Sequence, residues 1–209
     1  MILPAKSSAL NVFVNCPFDD DFKGCFEALI FTVAASGYRV RCALEENNAG
    51  NIRYDKLCLL IADSDKSVHD LSRVELNPLG FPRFNMPFEL GLCLGAKRFG
   101  GKKYSAKSAL VMIREPYKLP IYLSDVAGSD PDPHYDKPEE VIRIVRRYLH
   151  QRPDGTQLPG AAHILDEFNR FKTSLPVMAA SLKIADNELD PFRDYRDYTA
   201  LLAEFLLQA

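Results

Sequence analysis

The chain has 209 residues and a mass of 23.5 kDa, with 47% apolar and 26% charged side chains. That balance belongs to a globular chain able to bury a core without a metal or disulfide staple, and it excludes wholesale disorder. A formal net charge of -2 argues against a nucleic-acid-binding domain, whose surface is ordinarily basic, and no apolar run approaches the ~20 residues of a membrane span.

The opening residues, Met1 to Lys6, lack the charged and then apolar pattern of a secretory signal. The five cysteines (Cys16, Cys25, Cys42, Cys58, Cys93) form no C-x-x-C pair and sit in apolar segments. They read as reduced thiols of a cytoplasmic protein. The four histidines show no metal-ligand spacing, so neither a metal nor a cofactor is expected. Two basic clusters, Lys97 to Lys107 and Arg143 to Arg152, read as solvated surface or as a phosphate-binding rim.

Residues 10–16 predict a buried first strand, β-branched and aromatic, stopped by Pro17. Asp19, Asp20 and Asp21 open a helix where carboxylates suit the positive end of the dipole, and Gly37 closes it. Residues 38–44 predict a second strand. The polar loop Glu45 to Gly50 leads into a helix marked by Ile52, Leu57, Leu60 and Ile61. Residues 67–71 predict a short third strand, followed by a loop with Pro78, Gly80 and Pro82. The next helix has Pro87 near its start and ends near Gly100-Gly101. Residues 109–113 predict a buried strand and 121–123 a short one, with polar turn chemistry from 126 to 137. A helix then runs from Pro138 to about His150.

Strands alternating with helices predict an α/β fold, a flavodoxin-like parallel sheet flanked by helices, over residues 1–152. The segment Arg152 to Gly160 reads as a linker, and residues 160–209 as a C-terminal helical annex. Its apolar stripe, Ile164, Phe168, Phe171, Leu175, Met178 and Leu182, requires a partner surface. Pro176 should kink or split it. Tyr198, Leu201, Leu202, Phe205 and Leu206 form a second apolar face. The annex packs on its own domain or forms the seam of a homo-oligomer.

Ligands of an open parallel sheet bind beyond the carboxyl ends of its strands. Asn15, Pro17, Phe18 and Asp19 follow the first strand, Glu45 and Glu46 the second, and Asp70 and Ser72 the third. The segment Arg83 to Gly91, with Asn85 and Glu89, opens a helix at the same edge. Glu89, read as lying in the first turn, serves either the helix dipole or the crevice. There it could stabilise or attack a sugar carbon that becomes cationic as a glycosidic bond breaks. Asp70 and Ser72 either turn the chain or hold ribose hydroxyls. Arg53 is either a solvated helical arginine or a phosphate partner. Gly91 suggests close packing against a neighbouring backbone, since glycine within a helix costs up to ~1 kcal/mol against alanine. No phosphate-loop, dinucleotide-binding or nucleophile-elbow motif occurs.

The runs Val12-Phe-Val-Asn-Cys-Pro-Phe-Asp19, Ser67-Val-His-Asp-Leu-Ser72 and Arg83-Phe-Asn-Met-Pro-Phe-Glu-Leu-Gly91 resemble an uncharacterised bacterial branch related to the nucleoside 2-deoxyribosyltransferases and TIR domains. The likeness spans about residues 10–150. It implies that Glu89 is the catalytic glutamate, that Asp70 lies near the sugar and that Asn15 to Asp19 form a substrate-contacting loop. The implied activity is an N-glycosidase or glycosyl transferase acting on a nucleotide or nucleoside, with NAD a plausible substrate. The helical tail and the absence of an identifiable aromatic base pocket depart from those families. Two rival readings stand beside it: a nucleotide-sensing module that signals through its tail, and a structural assembly subunit.

Overall fold

The computed structural model describes residues 10–45, 52–73, 76, 80–119, 121–128 and 130–208. Glu46 to Gly50 and Pro78 fall outside them. Five strands, β1 (Asn11–Asn15), β2 (Arg39–Arg41), β3 (Lys66–Asp70), β4 (Ser108–Ile113) and β5 (Asp132–Pro133), form one wholly parallel sheet in the order β2-β1-β3-β4-β5. This is the flavodoxin-like order, which reverses direction between β1 and β3 and so opens a crevice at their carboxyl ends.

The helices are α1 (Lys23–Ala35), α2 (Arg53–Ala62), α3 (Asn85–Phe99), the four-residue α4 (Ser124–Ala127), α5 (Pro138–Leu149), α6 (Ala161–Ser181) and α7 (Tyr195–Gln208). Strand side chains alternate between two apolar layers, as a period of two requires. Val12, Val14, Val68, Leu110 and Met112 join α1 and α5 in the main core. Phe13 points the other way, into a cluster with Leu57, Leu60 and Ile61 of α2 and Cys93 of α3. Val111 and Ile113 meet Met86 and Leu90 of α3.

α1 is buried continuously from Cys25 to Val33, with no solvated face along that stretch. The sheet and α5 cover one side, and α6 and α7 cover the other. Ile164, Phe168, Phe171 and Leu175 of α6 and Leu201, Leu202 and Phe205 of α7 are all buried in the core that includes α1. Phe171 lies 5.8 Å from Phe31, 5.7 Å from Tyr198 and 5.4 Å from Phe205 between ring centroids. Lys172 Nζ reaches the buried Glu27 carboxylate at 2.5 Å, and Lys23 pairs with Asp190 at 2.9 Å.

Several sequence expectations shift. The second strand is confined to three residues, because residues 43–45 turn into a 3-10 helix. Residues 121–123 form a 3-10 turn, not a strand. The fifth strand falls instead in the segment read as polar turn, where Asp132 and Pro133 pair with Met112 and Ile113. Two residues at a sheet edge, one of them proline, carry no apolar signature. The acidic run after β1 forms a 3-10 turn, Asp20–Phe22, capped by Asp19, and α1 begins only at Lys23. Pro176 lies inside α6 without splitting it. Gly37 has φ +81° and a Cβ there would meet Pro153 at 3.4 Å, so the turn after α1 and the linker both favour glycine.

Candidate functional site

The carboxyl end of β1, the 3-10 turn after β2, the start of α2 and the start of α3 surround a cleft of about 400 Å³. Asn15, Pro17 and Phe18 line it from the β1 loop, Arg53 from α2, and Arg83, Phe84, Asn85, Met86 and Glu89 from the α3 entry. A second cavity of about 510 Å³ lies between α2 and the residues after β2. Phe18, Ala43, Arg53 and Glu89 line both. The glutamate and an arginine therefore stand where the two spaces meet.

Glu89 is not in the first turn. α3 starts at Asn85, with Phe84 as its N-cap, so Glu89 is the fifth helical residue and Pro87 the third. Pro87 costs no hydrogen bond there, because the first N–H groups of a helix have no intrahelical partner. The dipole effect fades beyond the first turn, which weakens the dipole account of Glu89. Burial pushes its carboxyl up to about 7, and the Arg53 guanidinium opposes that rise. A carboxyl poised near neutrality in a cleft is a functional signature with a physical cause.

Asn15 anchors the site from below. Its amide nitrogen donates to His69 Nδ1 at 3.0 Å and to the Met86 carbonyl at 2.8 Å. Both amide hydrogens are thereby used, and the first turn of α3 is tied to the end of β1. His69 is fully buried and stays neutral, its imidazole pushed down to about 3 by burial. Phe18 stacks edge-on against Phe26 at 5.7 Å and meets Phe192, just before α7, at 5.9 Å. A wall of the cleft is thus backed by the annex.

Other residues singled out in the sequence stand apart from the 400 Å³ cleft. Asp19 is not among its lining residues. Its carboxylate accepts the Phe22 N–H at 3.1 Å and pairs with Arg83 at 3.1 Å and Arg73 at 3.7 Å. Glu45 lines the second cavity and a groove against α7, but not the 400 Å³ cleft. Its carboxylate takes Arg41 Nε at 2.8 Å and the Cys42 N–H at 2.6 Å. Its carbonyl accepts Arg196 of α7 at 2.9 Å.

Asp70 and Ser72 are buried beyond the lining of either cavity. Asp70 Oδ1 accepts the Ser72 N–H at 2.9 Å. His134 Nε2 lies 2.6 Å from Ser72 Oγ and 2.9 Å from Asp70 Oδ2. The Asp136 N–H donates to His134 Nδ1 at 3.0 Å, so Nε2 carries the proton of the neutral ring. Serine and aspartate thus face the same nitrogen. A hydrolytic triad needs them on opposite nitrogens, so this cluster latches β3 to the loop after β5 and does not prepare a nucleophile.

Gly91 has no close neighbour: a Cβ there would meet nothing within 4 Å, and the expected close packing is not made within the chain. Sequence reasoning gave no role to His134, Arg83 or Phe84. Arg83 and Phe84 adjoin Asn85 in the motif segment, and that adjacency was the available signal. His134 gave none, since only the tertiary fold brings it to Asp70. Among the described residues no group of three His, Cys, Asp or Glu side chains could hold a metal ion, and no helix is long and apolar enough to cross a membrane. Comparisons with protein-family models, curated proteins and solved structures returned no significant match.

Proposed function

We propose that the cleft cleaves or transfers at the N-glycosidic bond of a nucleotide or nucleoside, with Glu89 as the catalytic group. The observation that carries this reading is the half-buried Glu89 carboxyl at the junction of two cavities, beside Arg53. The ionised carboxylate attacks the anomeric carbon, or stabilises its positive charge, while the base departs with the bonding electron pair. Water or an acceptor base then adds to that carbon and restores the carboxylate. A leaving group such as nicotinamide needs no proton from the enzyme, so one carboxylate suffices.

Arg53 and Arg83 suit a phosphate. Asn15 and Asn85 suit ribose hydroxyls, and the rings of Phe18 and Phe84 suit a base. Asp70 and Ser72, latched to His134, take no part in holding the ribose. Incubation with NAD and with a panel of nucleosides should release free base, detected by chromatography. Glu89→Gln should lower the rate at least ~100-fold, the lower end for a group acting directly in the transition state. Full cleavage by the glutamine variant would falsify the role of Glu89.

A second reading has its own support. The Arg196 guanidinium on the Glu45 carbonyl and Phe192 on Phe18 couple the annex to residues lining the two cavities. A nucleotide-sensing module would use such contacts to pass occupancy to the tail. Tight nucleotide binding with no base released would favour it.

A further inference from the structure

α1 is apolar on every side, whereas α3 carries Glu89, Lys97 and Arg98 and still leaves large rings on its outer face. A helix with apolar residues on every side belongs in an interior. α6 and α7 provide that interior for α1. The outer face of α3 has no such cover among the described residues. At helical spacing that face carries Phe88, Gly91, Gly95, Arg98 and Phe99, with Arg98 its one charged side chain. The two phenylalanines are 53% and 86% exposed. Tyr54 of α2, 50% exposed, extends the patch, its ring 6.3 Å from that of Phe88.

The glycines add a separate argument. Each costs up to ~1 kcal/mol against alanine in a helix interior. A Cβ at Gly91 or at Gly95 would meet nothing within 4 Å. No contact inside the chain accounts for either, whereas a second backbone approaching closely from outside accounts for both.

We propose that this face is the seam of a homodimer, in which the α3 helices of two copies cross antiparallel about a twofold axis, Gly91 of one over Gly95 of the other. The face is self-complementary, as an isologous interface must be. The two glycines form a shallow hollow at the crossing, and the phenylalanines on either side of it are the projections. The antiparallel register sets Phe88 against the turn that bears Arg98 and Phe99 in the other copy, where ring–ring and cation–ring contacts are favourable. It also sets each helix's positive end near the other's negative end.

The area fits this occupant. The three rings expose on the order of 400 Å² of side chain. That is about half of the ~800 Å² that each partner gives to a stable interface, the glycine crossing and Arg98 supplying more, and it matches the largest apolar patches found on monomers, which are often functional. Arg53 and Glu89 flank the seam, so the dimer would hold the cleft at its margin.

The test is the oligomeric state of the full chain, by sedimentation velocity across a concentration series. The wild type should sediment as a dimer. Gly95→Leu, whose Cβ would meet nothing within 4 Å in the single chain, should raise the dissociation constant roughly 30-fold or more, the effect of losing an interface hot spot. Phe99→Ser should do the same and removes an exposed side chain, so folding is retained even if the leucine variant fails. Val177→Asp, on the exposed face of α6, should leave the dimer intact. A monomeric wild type overturns the proposal. So does a dimer that survives both α3 changes, or one broken by Val177→Asp alone, which would move the seam to the annex.

Discussion

Glu89 is a stability cost as well as a chemical asset. Its carboxyl ordinarily titrates near 4.5 and in the fold is pushed up to about 7 by burial, against the pull of Arg53. The folded state therefore prefers the protonated form. Below pH 4.5 the group is neutral in both folded and unfolded chains and imposes no penalty. Between pH 4.5 and 7 the unfolded chain loses this proton while the folded chain holds it, so stability falls across that window and levels off above 7. Glu89→Gln, which mimics the neutral acid, should be more stable than wild type by roughly 2 kcal/mol at pH 8. The gain should fade to nothing by pH 4.5 in denaturant titrations at the two values. A variant no more stable at pH 8 would place the carboxyl in water. Under the proposed mechanism the same ionisation should appear in activity: kcat/KM should rise with pH through an apparent pKa of about 7, the ionised carboxylate being the form that attacks or stabilises the anomeric carbon. Arg53→Gln removes the opposing cation, so the limb should move to higher pH in the pH–rate profile. The motif that drew attention to Glu89 was legible in the sequence. Its titration was not, because burial depends on what the β1 loop and α2 place around it.

At the scale of elements, the site depends on how α3 is tied to the sheet. Asn15 is the tie, joining the end of β1 to the Met86 carbonyl in the first turn of α3 and to His69 on β3. Asn15→Ala would leave a buried ring nitrogen and a carbonyl unsatisfied, at ~1–3 kcal/mol each. Unfolding titrations should show a loss of roughly 2 kcal/mol, and the proposed activity should fall in kcat more than in KM, because the glutamate is displaced while Arg53 and Arg83, the groups proposed to hold phosphate, remain. Unchanged stability would show that the amide is not held as described. The sheet itself was largely readable: β1 and β4 stand out as apolar runs, β3 is only weakly apolar, and their alternation with helices gives the parallel arrangement. β2 and β5 were misread for one reason. Both are edge strands of two or three residues, and there the ladder to a neighbour, not the side-chain pattern, makes the strand. Ser72 was placed correctly after β3, and Asp70 is the strand's last residue, but a sequence cannot show that His134 will enclose them.

For the whole molecule the annex is part of one core and not an appendage. The apolar stripe of residues 160–209 predicted that something must cover it, and the apolar character of α1 on every side was the complementary signal within the same chain. Both surfaces are buried together, with Phe171 at the centre among Phe31, Tyr198 and Phe205. Truncating a fully buried phenylalanine in such a place costs ~3–5 kcal/mol, transfer and cavity terms together. That is a large share of the 5–15 kcal/mol that holds a typical domain folded. Phe171→Ala should therefore lower the midpoint of thermal unfolding in one cooperative transition seen equally by circular dichroism and by loss of activity. The coupling follows from the Phe18–Phe192 contact, which makes a cleft wall and the annex parts of one packed unit. If the annex unfolded first, in a separate step that left base release intact, the two segments would be independent and Phe18 would not rely on the tail.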